Sequence, residues 1–68
     1  MRVTLNGVER QLAHPQSVIR LIRLTGVGTG EPGVAVAVDG EVVPRREWDT
    51  TTIREGSVVE IVRAAAGG

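Results

Sequence analysis

The chain has no cysteine, no lysine, no phenylalanine and no tyrosine. Without cysteine, no disulfide staples the fold and no thiol or persulfide can form on this chain. Without lysine, it offers no side-chain amine to an isopeptide bond; all eight positive charges are arginine. Trp48 is the lone aromatic, so the core must be aliphatic and a stacking platform for nucleic-acid bases is missing. Eight basic residues balance eight acidic ones, and no basic surplus points to a phosphate backbone. A single histidine, His14, and no cluster of acids argue against a structural metal site. The opening MRVTLNG lacks the apolar run of a signal peptide or membrane span. The expected location is the cytoplasm, with neither membrane nor nucleic acid as a partner.

What is present is valine, at twelve of 68 positions, which favours strands. This length makes one small domain, near break-even between burial and chain entropy. A deep catalytic pocket typically needs ~300 Å³ or more. The expectation is that the chain has no room for both a core and such a pocket, and is not a self-sufficient enzyme.

The pattern along the chain is regular. MRVTLNGVERQL reads as a β-hairpin, with Val3 and Leu5 alternating with polar residues and Asn6-Gly7 as a type I′ turn. Its return strand, Val8 to Leu12, alternates less cleanly and reads as an edge. HPQSVIRLIRLTG reads as one helix from Ser17 to Thr25. Ser17 is the N-cap and Gly26 the C′ stop. Val18, Leu21, Ile22 and Thr25 fall on one face, with Ile19 and Leu24 flanking it. The following GVGTGEPG contains Gly28-Thr29-Gly30-Glu31-Pro32-Gly33, a match to G-x-G-x-x-G. It follows a helix and precedes a strand, the reverse of a dinucleotide fingerprint, and reads as a linker. VAVAVDGEVVP is a second hairpin. Val34, Val36 and Val38 share a face, the alanines take the other, Asp39-Gly40 turns and Pro44 stops the return strand. RREWDTTTIREG reads as loop or a single helical turn. SVVEIVR is the last strand, with Val59 and Ile61 toward the core and Val58, Glu60 and Val62 on the opposite face.

The order is β-β-α-β-β-β. A right-handed connection places the last strand in the middle of a mixed five-strand sheet, parallel to the first, under one covering helix. This α+β arrangement is the β-grasp, or ubiquitin-like, fold. The expected organisation is a β-grasp domain over residues 1–63 and a flexible C-terminal tail over 64–68 ending in Gly67-Gly68.

The opening VTLNG, the central VAVDGEVVPR from Val34 to Arg45, and the closing REGSVVEIVRAAAGG resemble the sulfur carrier proteins of thiamine biosynthesis, the ThiS family. The resemblance covers nearly the whole chain; the glycine-rich segment after the helix departs from it. It implies a protein co-substrate, not an enzyme, with no bound cofactor. An adenylating enzyme related to ubiquitin activators would use MgATP on the carboxylate of Gly68. A persulfide donor would convert the acyl-adenylate to a thiocarboxylate, and thiazole synthase would receive the sulfur. Gly67 and Ala66 would give clearance in a narrow passage, since glycine lacks Cβ.

Docking of the folded body onto such partners is expected to use exposed Val58 and Val62 near the tail, with Arg45, Arg46 and Arg63 as steering charges. Trp48 is read first as packing over the sheet end, and His14 as a loop residue without a catalytic partner. Three other classes fit a Gly-Gly end. They are a sulfur carrier for molybdopterin or cysteine synthesis, a ubiquitin-like protein modifier, and a plain β-grasp interaction module. Thiocarboxylate formation separates carriers from the interaction module, and isopeptide adducts would mark a modifier.

Overall fold

The computed structural model describes residues 1–28 and 30–63. The elements run β1 (Arg2–Leu5), β2 (Val8–Gln11), β3 (Gln16–Ser17), α1 (Val18–Leu24), β4 (Val34–Val38), β5 (Glu41–Val42), a 3₁₀ turn (Arg45–Glu47), β6 (Thr52–Ile53) and β7 (Val58–Arg63). Five strands form one mixed sheet in the order β2-β1-β7-β4-β5. The last strand lies in the centre, parallel to β1 with Thr4 opposite Val58, and antiparallel to β4. This is the expected β-grasp arrangement.

Both hairpins turn as their sequences imply. Asn6 and Gly7 have φ of 49° and 81°, and Asp39 and Gly40 have 52° and 85°. These left-handed pairs give the I′ geometry that matches strand twist, and glycine adopts it without a Cβ penalty. The valines of β4 alternate as expected: Val34 and Val36 are buried and Val38 half-buried, while Ala35 is exposed.

The helix is one residue shorter at its end than expected. Thr25 is its C-cap and is exposed rather than part of the buried face, because Gly26 at φ 85° ends the helical turn there. Ser17 Oγ accepts from the Arg20 N–H at 3.3 Å. The N–H groups of Val18 and Ile19 donate to the carbonyls of Thr51 and Trp48, both at 2.9 Å. Three donors that a helix start leaves open are thereby satisfied. Val18, Leu21 and Ile22 are buried, while Leu24 remains exposed.

One feature was not expected. Gln16–Ser17 pairs antiparallel with Thr52–Ile53 in a separate two-stranded sheet. The stretch read as loop or a single helical turn does hold one turn, the 3₁₀ turn at Arg45–Glu47, and holds in addition a strand that the reading did not include; the pairing of that strand fixes where the helix begins. The core consists of Val3, Leu5, Val18, Leu21, Ile22, Val34, Val36, Val43, Trp48, Ile53 and Val59. Ile61 faces it but is only partly buried. A seven-residue helix does not cover the far end of β7.

Candidate functional site

The central strand ends at Arg63, the last described residue before 64–68. Gly68, Gly67 and Ala66, the expected reacting and clearance residues, lie outside the described residues. What the structure places is the root of that segment and its surroundings.

The root is held by arginines that meet at one acid. Arg63 Nε lies 2.8 Å from Glu31 Oε2. Arg45 Nη2 donates to the Glu31 backbone carbonyl at 2.8 Å and to the Val34 carbonyl at 3.5 Å. The Arg45 guanidinium carbon sits 4.5 Å from the centroid of the Trp48 ring, a cation–π distance. The glycine-rich segment after the helix thus supplies, through Glu31, the contact at the end of β7. Arg46 is not part of this group; it lies at the 3₁₀ turn, 4.0 Å from Glu47 and strongly exposed. Trp48 is a packing residue, as the first reading had it: it is buried, and its Nε1–H donates to the Val43 carbonyl at 2.9 Å.

The outer sheet face is apolar next to this root. Val58 and Val62 are 45% and 58% exposed, and Val42 is 72% exposed. Register places Ala35 opposite Val62, and Ala37 opposite both Glu60 and Val42. Valine and alanine side chains of three adjacent strands therefore share one uncovered face around Glu60. Sequence reasoning named Val58 and Val62 but missed Val42. The signal was available: Val43 is buried, so its neighbour in an alternating strand must face out.

On the helix side the surface is concave but not enclosed. An open groove of about 740 Å³ lies between the β1–β2 hairpin and the end of α1. It exists because the short helix leaves the sheet end bare. Its lining is apolar side chains, two arginines, Asn6, Gln11 and Thr25, without a carboxylate or histidine. His14 is exposed elsewhere, its Nδ1 3.1 Å from the Pro15 carbonyl. No three potential metal ligands cluster among the described residues.

A β-grasp body with an apolar outer sheet face, leading from its central strand into a Gly-Gly segment, has the form of the ubiquitin-like carrier proteins. Residues 3–68 match the ThiS family. The chain belongs to that family, the sulfur carrier proteins of thiamine biosynthesis, which are not enzymes. It is 28% identical over 68 residues to the sulfur carrier protein ThiS of Escherichia coli (strain K12), covering 100% of both chains. The crystal structure of the thiamine biosynthesis protein ThiS from Geobacter metallireducens superposes with a TM-score of 0.84 at 31% identity, again over 100% of both chains. The solution structure of a thiamine biosynthesis protein from the same organism gives 0.82 at 33% identity, covering 100% of this chain and 88% of that one.

Proposed function

We propose that this protein carries sulfur on the α-carboxylate of Gly68 as a thiocarboxylate and delivers it for thiazole formation. A carboxylate is a poor electrophile. One of its oxygens attacks the α-phosphorus of MgATP on an adenylating enzyme, pyrophosphate leaves, and the acyl carbon acquires AMP as a leaving group. The terminal sulfur of a persulfide donor attacks that carbon and AMP departs. The new bond is carbon–sulfur; a thiol then attacks the donor's own sulfur and cleaves the sulfur–sulfur bond that the persulfide brought, leaving the thiocarboxylate here and a disulfide on the donor side. Thiazole synthase accepts the sulfur, and hydrolysis-level carboxylate is regenerated for the next round.

The observation that carries this reading is continuity. The family match runs to residue 68, and the strand at the centre of the sheet ends at Arg63, five positions before that residue in the sequence. A rigid body and a reactive end therefore share one backbone. Ordering a five-residue segment in a partner's active site costs roughly 1–2 kcal/mol per residue. Docking of the body offsets that cost, and the face around Val58, Val62 and Val42 is suited to it, with Arg45 and Arg63 beside the root.

Tail-length variants test the reading. Deleting Gly68 withdraws the carboxylate by up to about 3.6 Å in an extended chain, and one added residue advances it as far. Both variants are expected to lose pyrophosphate release with the adenylating enzyme and MgATP while still competing with the native protein for binding. Full activation of the lengthened chain, with its extra residue retained, would contradict the assignment.

A further inference from the structure

We infer that Asn6 is a positioning residue for the reactive end: its side-chain amide anchors the last part of β7 from which the tail departs. The inference rests on the carrier reading above.

The two hairpin turns make the case by comparison. Each opens on a residue in the left-handed region, Asn6 at φ 49° and Asp39 at φ 52°, followed by glycine. Such a turn accepts Asn, Asp or Gly at its first position, so turn geometry alone does not call for an amide at residue 6. Both residues also reach across to the central strand, at its opposite ends. The Asp39 N–H donates to the Val58 carbonyl at 2.7 Å, and Asp39 Oδ1 accepts from the Val58 N–H at 2.8 Å. The Asn6 N–H donates to the Val59 carbonyl at 2.9 Å. Its Oδ1 accepts from the Ile61 N–H at 2.8 Å, and its Nδ2 donates to the Ile61 carbonyl at 3.2 Å.

Strand β1 stops at Leu5. Beyond it, the Asn6 side chain takes the place of the missing strand and meets both peptide groups of Ile61. Only a carboxamide provides one donor and one acceptor at that distance; a carboxylate accepts only. Ile61 stands two positions before Arg63, the last residue of β7. Loosening this anchor adds residues that the partner must order before the carboxylate reaches the reacting centre. Placement errors there are costly, with 1 Å worth about a hundredfold in rate. The loss falls on the chemical step, because Val62 is still held in register against Ala35 of β4 and the docking valines keep their place when the Asn6 side is released.

The experiment compares Asn6→Gly, Asn6→Asp and Asp39→Gly in the full chain, with the adenylating enzyme, MgATP and a persulfide donor. Each variant keeps a residue tolerant of positive φ. Melting temperature, kcat and KM for thiocarboxylate formation, and amide hydrogen exchange are read. Asn6→Gly is expected to lower kcat by about tenfold or more with KM unchanged, and to speed exchange at Ile61. Asn6→Asp, which keeps the acceptor, falls between it and the native protein. Asp39→Gly loosens Val58 and lowers the melting temperature, yet leaves kcat at the native value. Equal kcat losses in Asn6→Gly and Asp39→Gly, or a change in KM alone, overturn the inference in favour of a general structural role. If the native protein gains no sulfur, the carrier reading fails instead; unchanged Ile61 exchange in Asn6→Gly then still refutes the anchor.

Discussion

At the scale of single residues, burial ranks the consequences of substitution. Ile22 is fully buried between helix and sheet. Its change to alanine is expected to cost about 2–5 kcal/mol, a large share of the stability of so small a domain. Ile61→Ala, at a half-covered position, should cost less than Ile22→Ala, and Arg46→Ala should stay within about 0.5 kcal/mol. Urea melts of the three variants check the order. Trp48 reports on them, since the only indole is buried and its N–H is held by the Val43 carbonyl. Trp48→Phe leaves that carbonyl without its donor and is expected to cost about 1–3 kcal/mol beyond lost packing.

Individual elements depend on turn chemistry as much as on burial. A Cβ added at Gly40 meets nothing within 4 Å, yet its φ is 85°. Gly40→Ala should therefore destabilise by about 1–2 kcal/mol through backbone strain alone, measurable as a lower urea midpoint at unchanged slope. The contact between Arg63 and Glu31 makes the opposite prediction. Their side chains are 57% and 38% exposed, so Glu31→Gln should cost less than about 1 kcal/mol, with the difference shrinking in high salt. Elements with a strong local signal were legible in the sequence: the Asn6-Gly7 and Asp39-Gly40 turns, the Ser17 cap, and the alternating valines of β4 and β7. The β3–β6 pair was not. Each of its strands is two residues long, too short for any period, and pairing across more than thirty positions defines them. The Glu31 contacts were equally hidden. A glutamate in a glycine-rich linker shows no periodicity, and only the register of β4 against β7 brings Arg63 to it. For the candidate site, the exposed valines of β7 followed from alternation. The Asn6 anchor did not, because Asn-Gly is already fully explained as a turn.

At the scale of the whole molecule, the proposed function divides labour between a body that docks and an end that reacts. The uncovered valines lie on the sheet face away from the helix, so an acidic substitution there removes apolar contact without opening the core. Val62→Asp is expected to raise KM with the adenylating enzyme by about tenfold or more, as loss of a buried interface residue does, while its melting temperature stays close to the native value. The central claim is that the chemistry belongs to the carboxylate of Gly68 and to no side chain of the body. Its most direct test is the mass of the intact protein after incubation with the adenylating enzyme, MgATP and a persulfide donor, followed by fragmentation. The account predicts one oxygen-to-sulfur exchange, carried only by fragments that contain Gly68, and the same result for His14→Ala. Sulfur on any other residue, or no mass change in a reaction that consumes ATP and forms thiazole, would contradict it.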